Sequence, residues 1–153
     1  TFAWYNADEM LYKENLFPGF TFQVGTKSYY GFPSIDGAGL KIGRHDGGDT
    51  VNPDEERQPF GDEDAADLNQ FLHTYMPYAG TLKNGKTCMY TMTPDEDFII
   101  DLHPAYKNIA IAAGFSGHGF KFASAVGEVL SELLIKGSTH LDISPFAIKR
   151  FNS

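Results

Sequence analysis

Gly114-Phe115-Ser116-Gly117-His118-Gly119-Phe120-Lys121 is the stretch of this chain best equipped for chemistry. It follows an apolar run and leads into residues at helical spacing. Glycines let backbone N–H groups approach a ligand closely. A helix N-terminus attracts negative charge, and Lys121 adds a full positive one. The stretch therefore suits a carboxylate, a phosphate or an electron-rich ring edge. The other reading is a strand-to-helix turn in which glycines serve close packing. Three familiar patterns do not fit. The fifth position of a Gly-x-Ser-x-Gly elbow is occupied by His118. A Gly-Lys-Ser/Thr ending is absent. Phe122 stands where a dinucleotide fingerprint would carry its third glycine. Ser116 with His118 leaves a hydrolase as a third, weaker reading.

A second basic cluster is Lys41, Arg44 and His45, just after Gly37-Ala38-Gly39. A lysine in a partly apolar site can act on a reacting centre through its charge. The alternative is a strand with solvent-facing cations. Cys88, between Thr87 and Met89, reads from its neighbours as an inert core cysteine on a strand. Asp101 and His103 lack further ligands at sensible spacing, so no metal site is expected.

The elements that must position these groups are strand-rich first and helical at the end. Phe2, Trp4 and Tyr5 mark a strand over 1–6. Phe20 to Val24 alternates apolar and polar, Gly25-Thr26-Lys27 turns, and Ser28 to Phe32 resumes, which predicts a hairpin ended by Pro33. Leu40 to Arg44 is another short strand. Residues 46–63 are acidic loop chemistry. Ala65, Leu68, Phe71, Leu72 and Tyr75 then recur at helical spacing, with Asp62 to Asp64 at the N-terminal end and Pro77 as the stop. Strands are predicted over Lys86–Thr91, Phe98–Ile100 and Ile109–Ala113. A helix is predicted from Phe120 to Ile135, capped by Gly137. The class is α+β, with a mixed, largely antiparallel sheet and flanking helices.

The 153 residues are 42% hydrophobic with 13 Phe, enough for a core. A net charge of −8 argues against a nucleic-acid backbone binder. No apolar run is long enough to span a membrane as a helix, and no charged-then-apolar leader is visible, which points to the cytoplasm. One cysteine excludes an internal disulfide framework. The chain starts at Thr1 and in strand-like sequence, which suggests a piece of a longer protein.

Three blocks together carry a resemblance. They are Tyr29-Tyr30-Gly31-Phe32-Pro33-Ser34 with Gly39-Leu40-Lys41 and Gly43-Arg44-His45; Cys88-Met89-Tyr90-Thr91 with Pro94 to Asp101; and Gly114 to Phe122. In this order and spacing they resemble the C-terminal part of the monomeric sarcosine oxidase and N-methyl-L-tryptophan oxidase family, flavoprotein amine oxidases with covalent FAD. The resemblance runs from about Thr1 to Phe151. It implies that Cys88 forms a thioether to the flavin. It implies that Lys41 lies near flavin N5 and promotes reaction with oxygen, and that Lys121 binds the substrate carboxylate. Tyr30, His45 and Tyr90 match pocket residues over the flavin. Gly117, His118, Gly119 and Phe120 match backbone around the pyrimidine side of the ring, beside Lys121.

The departures are as informative. The family's N-terminal half is missing, with its dinucleotide fingerprint and the ADP site it builds. The chain is thus expected to be the substrate-domain portion, residues 1–94, and the end of the FAD domain, residues 95–153, a terminal β-β-α segment. FAD itself is expected to be absent from so short a piece. The implied partners are an N-methyl amino acid, O2 and the missing N-terminal part, with no nucleic acid and no membrane. The implied reaction yields formaldehyde, the amino acid and hydrogen peroxide. The alternative is a binding fragment without turnover. Sarcosine and N-methyltryptophan both remain open as substrate; the ending from Asp142 to Phe151 looks more like the tryptophan-derivative enzyme.

Overall fold

A computed structural model of the chain describes residues 1–151. The chain divides into two compact units, Thr1–Cys88 and Met89–Ser153.

The first unit is a five-stranded antiparallel sheet in the order β2-β3-β4-β1-β5. Its strands are β1 (Phe2–Tyr5), β2 (Phe20–Val24), β3 (Lys27–Phe32), β4 (Leu40–Arg44) and β5 (Leu82–Lys86). Helix α2 (Asp62–Tyr75) covers one face. Successive strand residues point to opposite faces, so alternation selects what goes under the helix. Leu40 and Ile42 of β4, Ala3 and Tyr5 of β1 and Tyr29 of β3 pack with Leu68, Phe71 and Leu72 of α2. Fully burying a side chain such as Leu40 or Ile42 contributes roughly 2 kcal/mol. Tyr29 and Phe71 stack at 4.3 Å between centroids. Tyr5 is also in this core, its hydroxyl without a partner among the described residues, and burial pushes its pKa up to about 12.

The expected hairpin forms with the turn at Gly25, whose φ of +60° suits glycine. Two local features differ from expectation. A one-turn helix α1 (Glu9–Tyr12) follows β1, capped by Asp8, whose carboxylate accepts from the Met10 N–H at 2.8 Å. The strand expected over Lys86–Thr91 lies earlier, at Leu82–Lys86. This polar segment is an edge strand held by pairing with β1. Edge strands tolerate charge, so composition hides them.

The second unit pairs β6 (Ile99–Leu102) antiparallel with β7 (Ala110–Ala113). Helix α3 (Ala123–Lys136) packs on this ribbon through Val129 and Leu133, buried with Phe98 and Ile100. A 3-10 turn over Phe120–Phe122 precedes it, so α-helical geometry begins three residues later than the spacing suggests. Gly137 ends it as expected, at φ +77°, its N–H donating to the Leu133 carbonyl. The β-β-α segment and the α+β class are both as expected.

Beyond α3, Glu132 ties down the following turn. Its carboxylate accepts from Lys136 Nζ at 2.8 Å and Thr139 Oγ1 at 2.7 Å, and lies 3.1 Å from His140 Nδ1. The Lys136 hydrogen bond, then Thr139 and His140, lower its pKa from the ordinary 4.5 to about 2. A depressed carboxylate stabilises the fold above its unfolded pKa and loses that effect as pH falls through the folded one. The stability gap between the native chain and Glu132→Gln, measured by denaturant midpoints, is therefore expected to be full above about pH 4.5 and to close towards pH 2. A gap independent of pH over that range would contradict the assigned network.

Candidate functional site

The sheet's other face carries the candidates of the first unit. Because Leu40 and Ile42 go under α2, Lys41 and Gly43 point away from it. His45 continues the same alternation just past the end of β4. Tyr30, between buried Tyr29 and Gly31, points the same way from β3 and pairs directly with Gly43. The ring of Tyr30 lies over Gly43 and meets His45 edge-on at 6.4 Å between centroids. The structure thus brings Tyr30, Lys41 and His45 to one sheet face. Arg44, the third member of the basic cluster, points to the opposite side and pairs with Asp46 at 3.4 Å and Asp67 at 3.6 Å.

Lys41 is half-buried and, among the described residues, makes no hydrogen bond or ion pair. Its neighbours are rings: Nζ lies 4.5 Å from the centroid of Phe2 and 5.2 Å from that of Trp4. These aromatic neighbours were missed in the sequence as site residues. The alternation Phe2-x-Trp4 on a strand, with Lys41 on another, was the available signal.

Cys88 is exposed and lies two residues past the end of β5. The reading of an inert core cysteine on a strand is therefore corrected. The strand ends at Lys86, and Thr87 instead donates its hydroxyl to the Gln58 carbonyl at 3.0 Å.

In the second unit the glycine loop runs from β7 to α3. Gly117 has φ +79°, and a Cβ there would sit 2.3 Å from the Tyr90 ring. A Cβ on Gly119 would collide with Phe115. Close packing of rings thus accounts for both glycines. Ser116 is buried, and its hydroxyl donates to the Gly114 carbonyl at 3.2 Å. An exposed serine nucleophile is not what the loop presents. His118 packs against Phe98, 5.0 Å between centroids. Phe120 is 97% exposed, and Lys121 is exposed with Nζ 5.4 Å from the Phe122 centroid. Beside the loop is a groove of about 500 Å³ lined by Ala112, Phe115, Phe120, Val126 and Leu130.

The pair considered for metal binding has local duties. Asp101 accepts from the Leu102 and Ile148 N–H groups, and His103 Nδ1 accepts from the Ala105 N–H. Glu128, Glu132 and His140 bring ligand atoms within 4.8 Å of one another, and Glu132 is already engaged by Lys136 and Thr139.

The first unit's residues fit a flavin in three respects. Tyr30 gives this sheet face an aromatic side chain against which a flat ring could lie. Lys41, which has no ion pair among the described residues, would offer a positive charge to the electron-rich edge of such a ring. The Cys88 thiol is accessible for a covalent bond. Nothing in the chain supplies the Gly-x-Gly-x-x-Gly turn for the ADP portion.

Comparison with known proteins places the chain in a flavin-dependent family. A family profile described as DAO, FAD dependent oxidoreductase, matches residues 5–133. The chain is 54% identical over 152 residues to a monomeric sarcosine oxidase of Arthrobacter sp., covering 97% of this chain and 39% of that protein. It is 44% identical over 153 residues to an N-methyl-L-tryptophan oxidase of Citrobacter koseri, covering 98% and 41%. Among solved structures, the L-proline dehydrogenase from P. horikoshii aligns with a TM-score of 0.69 at 28% identity, covering 81% of this chain and 32% of that one. The chain therefore spans about two fifths of the curated relatives it matches. No helix among the described residues is long and apolar enough to cross a membrane.

Two glycines separate site geometry from stability. A Cβ on Gly31 would press within 2.3 Å of the Lys41 carbonyl, which cannot move cheaply. A Cβ on Gly43 would meet only the far end of the Tyr30 ring, at 2.8 to 2.9 Å. Gly31→Ala is expected to destabilise the chain by about 1–3 kcal/mol. Gly43→Ala is expected to cost clearly less while displacing Tyr30. Denaturation curves with the Tyr30 ring resonances as a second readout check both; equal destabilisation would contradict the register.

Proposed function

Since this chain belongs to the family of FAD-dependent oxidoreductases, we propose that the whole protein is a flavin-dependent oxidase of N-methyl amino acids. The observation that carries the proposal is the sheet face shared by Tyr30, Lys41 and His45, with the Lys41 ammonium unpaired among the described residues. In the proposed reaction the N-methyl carbon loses a hydride equivalent and the nitrogen a proton. The resulting imine takes up water and splits into formaldehyde and the free amino acid. O2 takes up two electrons and two protons and leaves as hydrogen peroxide. When bound, the isoalloxazine ring supplies the two-electron transfer between these halves.

The chain's own residues act around it. Cys88 is proposed to hold the flavin covalently through its thiol. Lys41 stabilises the negative charge that develops as oxygen is reduced; a fixed charge needs no reorganisation at that moment. Lys121 is proposed to bind the substrate carboxylate as a point charge. Tyr30, His45 and Tyr90 are proposed to line the substrate pocket. The backbone of Gly117 to Phe120 is proposed to meet the pyrimidine side of the ring. A domain boundary near Pro94 and a cytoplasmic location belong to the same reading. Greater identity to the sarcosine oxidase, 54% against 44%, favours sarcosine over N-methyltryptophan. By itself the chain, lacking the fingerprint for the ADP portion, is read as a piece without turnover.

Rapid-mixing kinetics of the whole flavoprotein test the assignment of Lys41. Lys41→Met is expected to slow oxidation of the reduced flavin by O2 by about 100-fold, with anaerobic reduction by substrate nearly unchanged. Equal slowing of both half-reactions would remove the oxygen role.

A further inference from the structure

Lys41 is held by rings where a counter-charge would be usual. Its Nζ lies 4.5 Å from the centroid of Phe2, 5.2 Å from that of Trp4 and 5.8 Å from that of Phe32. The sheet register builds this enclosure. Trp4 pairs with Lys41 across β1–β4, and Phe32 pairs with it across β3–β4. Phe2 lies opposite Gly43, whose missing side chain leaves room for the Tyr30 ring on the same face. Phe2 and Trp4 meet edge to face at 5.3 Å and 73°, which fixes each ring against the other.

An acidic chain offers many carboxylates, 20 in all, and among the described residues none pairs with this ammonium. The distinction matters chemically. A carboxylate would hold the lysine and also cancel its field. An aromatic face attracts a cation through its quadrupole, carries no net charge and accepts none of the strong hydrogen bonds an ammonium donates. The lysine stem is flexible by itself, with four rotatable bonds to its charge. Three rings confine it while leaving its charge and hydrogens for a ligand.

We propose that Phe2, Trp4 and Phe32 are positioning residues for Lys41, holding its ammonium unpaired on the open sheet face, ready for the charge that forms on oxygen. This inference rests on the oxygen role given to Lys41 above. It adds that the rings are needed for that role, beyond their part in the fold.

The test uses the whole flavoprotein with Trp4→Leu, Phe2→Leu and the conservative Trp4→Phe. Leucine keeps apolar bulk and removes the ring. The first readout is independent of turnover: ring currents should shift the Lys41 ε-methylene resonance upfield in protein carrying ε-13C-lysine. That shift is expected to shrink in Trp4→Leu and Phe2→Leu and to persist in Trp4→Phe. The second readout is the split between half-reactions. Flavin oxidation by O2 is expected to slow about ten-fold in each leucine variant, with anaerobic reduction within two-fold of the original. Trp4→Phe should recover most of the oxidation rate. Loss of the upfield shift with an unchanged oxidation rate would overturn the positioning role. So would equal slowing of both half-reactions, which marks general damage, or the absence of any upfield shift at the start. If Lys41→Met slows oxidation and the leucine variants do not, only the positioning role falls. If Lys41→Met itself leaves oxidation unchanged, the oxygen reading falls and takes this inference with it.

Discussion

Everything at the candidate site of the first unit depends on the register of β4 between β1 and β3. That register puts Leu40 and Ile42 under α2 and leaves Lys41 and Gly43 on the open side. A slip of one residue would reverse both sets. Lys41 would then lie against Phe71 and Leu72, an unpaired charge in an apolar core, and two fully buried aliphatic side chains would meet water. Each of those exposures costs roughly 2 kcal/mol, and the buried charge costs more. The forces that stabilise the core therefore also place the lysine. Fold and site are one constraint seen from two faces of a sheet.

Charge is sorted by the same alternation. On the covered side, Asp67 of α2 takes Lys27 at 2.7 Å, the Tyr29 hydroxyl at 3.1 Å and Arg44 at 3.6 Å. Asp46 accepts from the Ser28 N–H and lies 3.4 Å from Arg44 Nε. These partly exposed pairs contribute little stability each. Their effect on the site is to keep the carboxylates of this neighbourhood with the other cations. The open face keeps an ammonium among aromatic rings, in a chain whose net charge is −8.

Much of this was legible in the residues because local pattern and long-range pairing agree. Phe20 to Val24, Leu40 to Arg44 and the spacing through Leu68, Phe71 and Leu72 each form the expected element. What stayed hidden was decided by distant partners. Leu82–Lys86 is polar and becomes a strand only because β1 offers an edge. Cys88 sits in apolar company in the sequence and is exposed in the fold, because the strand that would have carried it inward has already ended. Gly117 and Gly119 read equally well as a ligand cradle or as packing room, and the rings of Tyr90 and Phe115 fill that room. An anion site at Lys121 was legible from the loop and the helix start, whereas the flavin roles of Cys88 and Lys41 came from resemblance, which spacing alone could not supply.

The proposed chemistry requires that the whole protein hold its flavin through the Cys88 sulfur. Trypsin cuts after Lys86 and Lys107, so one peptide, residues 87–107, carries Cys88 and no other cysteine. Mass spectrometry of that peptide, from the whole protein denatured in acid, is the most direct measurement. The account predicts a peptide heavier by one flavin, with flavin absorbance, and the modification located on Cys88. A peptide of unmodified mass with a free Cys88 thiol, and flavin absent, released by the acid or attached elsewhere, would contradict it.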